Sequence, residues 1–166
     1  MNSREWKSLP DAKKETIQRF LAQRPVALGA LAKELGLSVM SSTLHIGLSG
    51  EIRPDETAPS GFRIRINRHE NKARQRFTLA HEIAHFLLHS DDIGDGVVDD
   101  LLYRSGLSDR REAEANRLAA DLVMPWELIN QRVKEFDNLT SEDTIAKLAN
   151  EFGVSVTAMK IRLGLV

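Results

Sequence analysis

The sequence contains no cysteine. Disulfides and thiolate metal sites are therefore excluded, and any bound metal must take its ligands from His, Asp or Glu. An excess of positive charge is also missing: 23 Lys and Arg stand against 24 Asp and Glu, a formal net charge of -1. Autonomous nucleic-acid binders are ordinarily basic, so direct nucleic-acid binding is not expected. No run approaches the ~20 apolar residues of a membrane span. The opening MNSREWKSLPDAKKE has no apolar signal-peptide core, which makes a cytoplasmic location the expectation. Low-complexity segments are absent. What is present, 42% hydrophobic and 28% charged residues over 166 positions, suits one globular domain with its own core.

Periodicity gives the elements. Asp11 to about Gln23 reads as a helix with Ile17, Phe20 and Leu21 on one side, interrupted by Pro25. A second helix runs from about Val26 to Leu35 and stops at Gly36. Between Leu37 and Ile66, Ser-Gly pairs and prolines punctuate β-branched residues, and Phe62, Ile64 and Ile66 alternate with Arg63 and Arg65. That pattern predicts two or three antiparallel strands. A helix begins near Asn71, an acidic glycine-containing loop covers 89–109, and a further helix runs from about Asp109 to Met124, ended by Pro125. Trp126 to about Phe136 and two short helices broken at Gly153 complete the chain.

The stretch TLAHEIAHFLLH, 78–89, holds three of the five histidines. At about 100° per residue, Thr78, His81, Glu82, His85 and His89 share one arc of about 100°, and apolar residues fill the rest. Such a helix is buried on several sides, where unpartnered polar groups cost a few kcal/mol each. A bound cation resolves that cost. His81 and His85, one turn and about 6 Å apart, can converge on one tetrahedral zinc. Glu82, off the line of the two imidazoles, is placed to take a proton from an activated water. HEIAH thus matches the HExxH pattern. His89 lies about 12 Å beyond His81 along the axis, too far to share the ion. It is a second-shell group, a substrate-side group, or simply the polar end of the helix.

A further ligand is needed, and the helix SDRREAEANRLAADLVMP offers two glutamates. Glu112 and Asn116 fall on the face with Ala115, Ala119, Leu122 and Val123. Glu114 falls opposite, with Arg110, Arg117 and Asp121, on what reads as a solvated charged face. Glu112 is the expected third ligand, and Asn116 the group that orients a ligand imidazole. Glu114 is the alternative if the helix starts elsewhere.

The pieces FRIRIN, RQRFTLAHEIAHFLLH and EAEANRLAADLVMP, in this order and at these intervals, resemble the ImmA/IrrE family of bacterial metallopeptidases. The resemblance covers at least 30–126, and FGVSVTAMKIRLGLV is similar to the family's usual ending. Leu118 departs from it, since relatives often carry Phe there, and the change concerns packing. The resemblance implies one zinc bound by His81, His85 and Glu112, with Glu82 as catalytic base. It also implies a substrate, a helix-turn-helix repressor cut to release its genes, and hence roles in transcription regulation and stress response.

Two other readings compete. TIAKLANEFGVSVTAMKIRL has the outline of a helix-turn-helix, with Thr140 and Asp143 as a cap, but 141–166 carry three basic and three acidic residues. That balance binds phosphates poorly. The other reading is a regulatory binding module with a structural zinc, for which Glu82 has no use. The expectation is a single α+β domain over 1–166, mainly helical, with a small antiparallel sheet of about three strands packed against the HExxH helix. N-terminal helices occupy 1–36, sheet and zinc-site helices 37–125, and C-terminal helices of helix-turn-helix outline 126–166. It is read as a zinc metallopeptidase with a protein substrate and no membrane association. By chemistry alone, His69, His89 and Tyr103 are candidates to stabilise an oxyanion.

Overall fold

The structure, a computed structural model, describes residues 1–94, the backbone of 97–100, and 109–166. Three helices, α1 (Arg4–Ser8), α2 (Asp11–Gln18) and α3 (Leu28–Glu34), precede strands β1 (Ser38–Ser42), β2 (Leu48–Pro54) and β3 (Phe62–Asn67). Helix α4 (Lys72–His89) follows, then β4 (Val97–Asp100), α5 (Asp109–Val123), α6 (Trp126–Val133), α7 (Glu142–Phe152) and α8 (Val156–Leu163). The fold is α+β and mainly helical, as the periodicity predicts. The predicted helix over 11–23 is shorter, closing at Gln18, and α1, absent from the sequence expectation, is capped by the Ser3 side chain. The cap expected at Thr140 is not formed: Thr140 bonds Asn138, and Ser141 occupies the N-cap.

The sheet departs from the expectation of about three antiparallel strands. Its order is β1-β3-β2-β4, and β1 runs parallel to β3 while the other pairs are antiparallel. Alternation identifies a strand and its buried face, but it carries no information on direction. β4 falls in the stretch read as an acidic loop. Its four residues pair with β2 across a register shift between Leu48 and Gly50, a long-range interaction without a local signature.

The alternation itself sets the two faces. Gly50 pairs with Ile66 and Ile52 with Ile64, so these four residues share the face that α4 covers. The other face carries Glu51, Arg53, Arg63 and Arg65, where buried Glu51 bridges Arg53 and Arg65 at 2.8 and 3.0 Å. α4 lies close because residue 50 has no side chain. A Cβ there would stand 2.5 Å from Thr78 Cγ2 and 3.0 Å from the Arg65 carbonyl. Thr78 is buried and β-branched, so it cannot swing aside. Gly50→Ala is expected to cost about 2 kcal/mol, the usual range for forced overpacking, and to lower Tm by roughly 4–8 °C. A thermal melt that matches the wild type would show that α4 has room to spare above the sheet.

The rest of the core binds α4 to the helices. Ile83, Ala84, Leu118, Ala119, Leu122, Ile129, Leu148 and Phe152 are all fully or almost fully buried within one apolar cluster. Gly153 ends α7 in the left-handed region, φ 65°, and a Cβ there would meet Arg76 Nε of α4 at 2.7 Å. The α7–α8 pair is thus seated on the core. Its basic side chains are engaged as well: Lys160 pairs with Glu142, and Arg162 with buried Asp121 at 2.8 Å.

The charged face of α5 is solvated only in part, at Arg110 and Arg117, where the sequence reading has it solvated throughout. Asp121 is 2% exposed, held by Arg162 and the Ser3 amide. Arg117 donates to buried Glu5 of α1 at 2.7 Å. Burial raises the Glu5 pKa, but hydrogen bonds from Arg117 and Arg4 outweigh it and hold the carboxyl at about 2. α1 therefore covers part of the face that periodicity assigns to water.

Candidate metal centre

Helices α4 and α5 pack along each other, and their facing residues make the site. His81 and His85 sit one turn apart on α4, both buried. Their Nε2 atoms point at one another, 2.9 Å apart. Glu112, in the first turn of α5, reaches into the same space: its carboxylate oxygens lie 3.2 Å from His81 Nε2 and 3.4 Å from His85 Nε2. Among the described residues these three form the cluster able to hold a metal, with all donor atoms within 4.8 Å of one another.

The donor set fits a small divalent cation. Ligands on a tetrahedral ion with bonds of about 2.05 Å lie about 3.3 Å apart, and the three observed separations bracket that value. Two imidazoles and one carboxylate leave a fourth position open, the composition of catalytic rather than structural sites. The pKa of His85 is lowered, first by burial and then by the neighbouring imidazoles, against the opposing pull of Glu112. The ring is thereby kept neutral, with a lone pair to offer.

The surrounding residues fix the rings. His81 Nδ1 lies 2.9 Å from the Asn116 amide oxygen, one turn along α5 from Glu112. Nδ1–H donates there, so Nε2 is left as the acceptor that faces the site. Glu82 is fully buried, next to His81 in the chain and outside the three-residue cluster. His89 is held between His85 and Glu114. Its Nδ1 lies 3.3 Å from His85 Nδ1 and its Nε2 3.0 Å from Glu114 Oε2. Both ring nitrogens are engaged, which removes His89 from the oxyanion candidates. His69 bonds Thr43 at the sheet margin, and Tyr103 lies outside the described residues.

Glu114 is thus placed differently from the sequence reading. Its hydrogen bonds from His89 and Arg110 lower its carboxyl pKa below the usual range. It does not join the ligand cluster. In the sequence, His89 follows His85 by one turn and Glu114 follows Arg110 by one turn. Pairing the two across helices required the packing.

Comparison with known proteins gives the family. Over 100 residues the chain is 38% identical to the radiation response metalloprotease IrrE of Deinococcus deserti, covering 60% of this chain and 35% of that protein. The chain therefore spans about a third of the curated relative's length. A Mycobacterium tuberculosis transcriptional regulator superposes with a TM-score of 0.58 over 95% of this chain and 48% of that one, at 17% identity, a likeness of fold. The family model of the IrrE N-terminal-like domain, peptidase M78, matches residues 31–164, and the chain belongs to that metallopeptidase family.

Proposed function

We propose that this protein is a zinc-dependent endopeptidase of a single domain, acting in the cytoplasm on a helix-turn-helix repressor. The observation that carries the activity is the convergence of His81, His85 and Glu112 on one point, with the buried Glu82 next to His81 in the chain. Membership of a metallopeptidase family supports a metal and a peptide substrate. No helix among the described residues is long and apolar enough to cross a membrane.

A divalent cation held by the three side chains supplies Lewis acidity toward a peptide carbonyl and lowers the pKa of water. The chain's own residues do the rest. His81 and His85 are buried and present their Nε2 atoms from one rigid helix, so the site needs little rearrangement to bind. Asn116 holds the His81 ring in the ligating tautomer. Glu82 accepts the proton of the attacking water and delivers it to the leaving amine, which requires a carboxylate beside the ligands but not among them.

The zinc assignment is supported by ligand separations compatible with a tetrahedral ion and by the two nitrogen donors. The repressor as substrate follows from the family resemblance. A DNA-binding role for α7–α8 is disfavoured, because Lys160 and Arg162 are spent on ion pairs within the fold.

The substrate is tested with Glu82→Gln used as a trap. Incubated with lysate of the native host, the variant retains a helix-turn-helix protein, and the wild type cuts that protein once or a few times. Recovery of DNA alone, with variant and wild type behaving alike, overturns the reading.

A further inference from the structure

Outside the three ligands, the side chains nearest the site form an ordered series. Glu114 Oε2 lies 3.0 Å from His89 Nε2, and His89 Nδ1 lies 3.3 Å from His85 Nδ1. His85 Nε2 then faces Glu112. His85 is fully buried and His89 is 6% exposed, so solvent does not substitute for either contact. Glu114 and His89 also line a solvent-reaching pocket of about 340 Å³ with Arg4, Glu5, Ser8 and Arg110, on the side of His89 away from His85. The outer end of the series is therefore the carboxylate.

The donor and acceptor roles along this series are determined from that end. An ionised carboxylate only accepts, so His89 Nε2 carries the proton and donates. A neutral imidazole has one donor and one acceptor, so His89 Nδ1 accepts. His85 Nδ1 must then be the donor. One proton remains for that ring and it is used, so Nε2 offers its lone pair to a cation shared with Glu112 and the His81 nitrogen.

We propose that Glu114 and His89 are positioning residues of the metal centre: the carboxylate, through His89, fixes His85 in the tautomer and orientation that can ligate. This rests on the metal-site reading above. It makes the two ligand histidines alike in principle, each held at Nδ1 by an acceptor on or linked to α5: Asn116 directly for His81, and Glu114 by way of His89 for His85. Outer partners of metal-bound histidines typically change metal affinity 10–100-fold. A two-residue relay places its effect on affinity and on ring state before any chemistry.

The test uses the full chain in two measurements. The first is ¹⁵N NMR of the histidine rings in wild type at pH 8 with one equivalent of zinc. His85 is expected as the Nδ1–H tautomer and His89 as the Nε2–H tautomer. In Glu114→Leu the His89 signal moves toward the Nδ1–H form. In Glu114→Gln, whose amide oxygen still accepts, it stays in place. The second is zinc affinity by competition with a chromophoric chelator: roughly 10–100-fold weaker for Glu114→Leu, and within about threefold of wild type for Glu114→Gln. Two results overturn the proposal: wild-type His89 found as Nδ1–H, or a folded Glu114→Leu with unchanged tautomer and affinity. If Glu114→Leu fails to fold, the wild-type tautomer still decides. Wild type that shows the expected tautomers but binds no zinc sinks the metal reading, while the relay stands.

Discussion

Glu82→Gln is expected to keep the metal and the fold while losing peptide-bond cleavage. Glutamine has nearly the same shape as glutamate, and residue 82 is fully buried on α4, so the packing is unchanged. Replacing an ionisable group with a neutral one in such a place does not add a desolvation cost, so Tm should equal or exceed that of the wild type. What is lost is the proton acceptor. General acid–base catalysis contributes about 10²–10⁴-fold, and kcat and kcat/KM should fall together by that factor with KM little changed. Zinc titration should give the wild-type affinity, since Glu82 lies outside the ligand cluster. Cleavage within tenfold of wild type would assign the base elsewhere. A fall in zinc affinity would make residue 82 part of the binding shell.

Glu112→Ala is the complementary change, with its effect on binding. The carboxylate is the α5 contribution to a site otherwise held on α4, so its removal leaves two imidazoles from one helix. Zinc affinity should fall by orders of magnitude. The consequence extends to stability, because a metal that binds only the folded chain adds about 2.7 kcal/mol at a hundredfold excess over its Kd. Wild type should melt several degrees higher with zinc than without, and Glu112→Ala should show no such rise. Glu114→Ala should fall between the two, since Glu114 acts through His89 and not on the ion. Should Glu114→Ala prove the more damaging for zinc, the carboxylates would exchange roles and the register of α5 would need to turn.

The parts of the site on α4 were legible because they rest on local periodicity. His81, Glu82 and His85 follow from a polar stripe on an otherwise apolar helix, and α4 and α5 each lie where the wheel places them. The wheel also sets Glu112 and Glu114 apart by face, and in the structure the two carboxylates point to different partners. The environment of Glu114 was not legible. A helical wheel shows which residues share a side, and it leaves open what covers that side. Here α1 does, through the Glu5–Arg117 contact across 112 positions, and Asp121 is buried by Arg162 from the far end of the chain. The parallel direction of β1 and the existence of β4 are likewise consequences of pairing between distant segments.

The central claim is that His81, His85 and Glu112 hold one zinc ion. Elemental analysis of freshly purified protein, prepared without chelators, tests it most directly. The expected result is about one zinc per chain. Protein that is folded by circular dichroism yet carries no transition metal, and takes up none from a stoichiometric zinc solution, would contradict it.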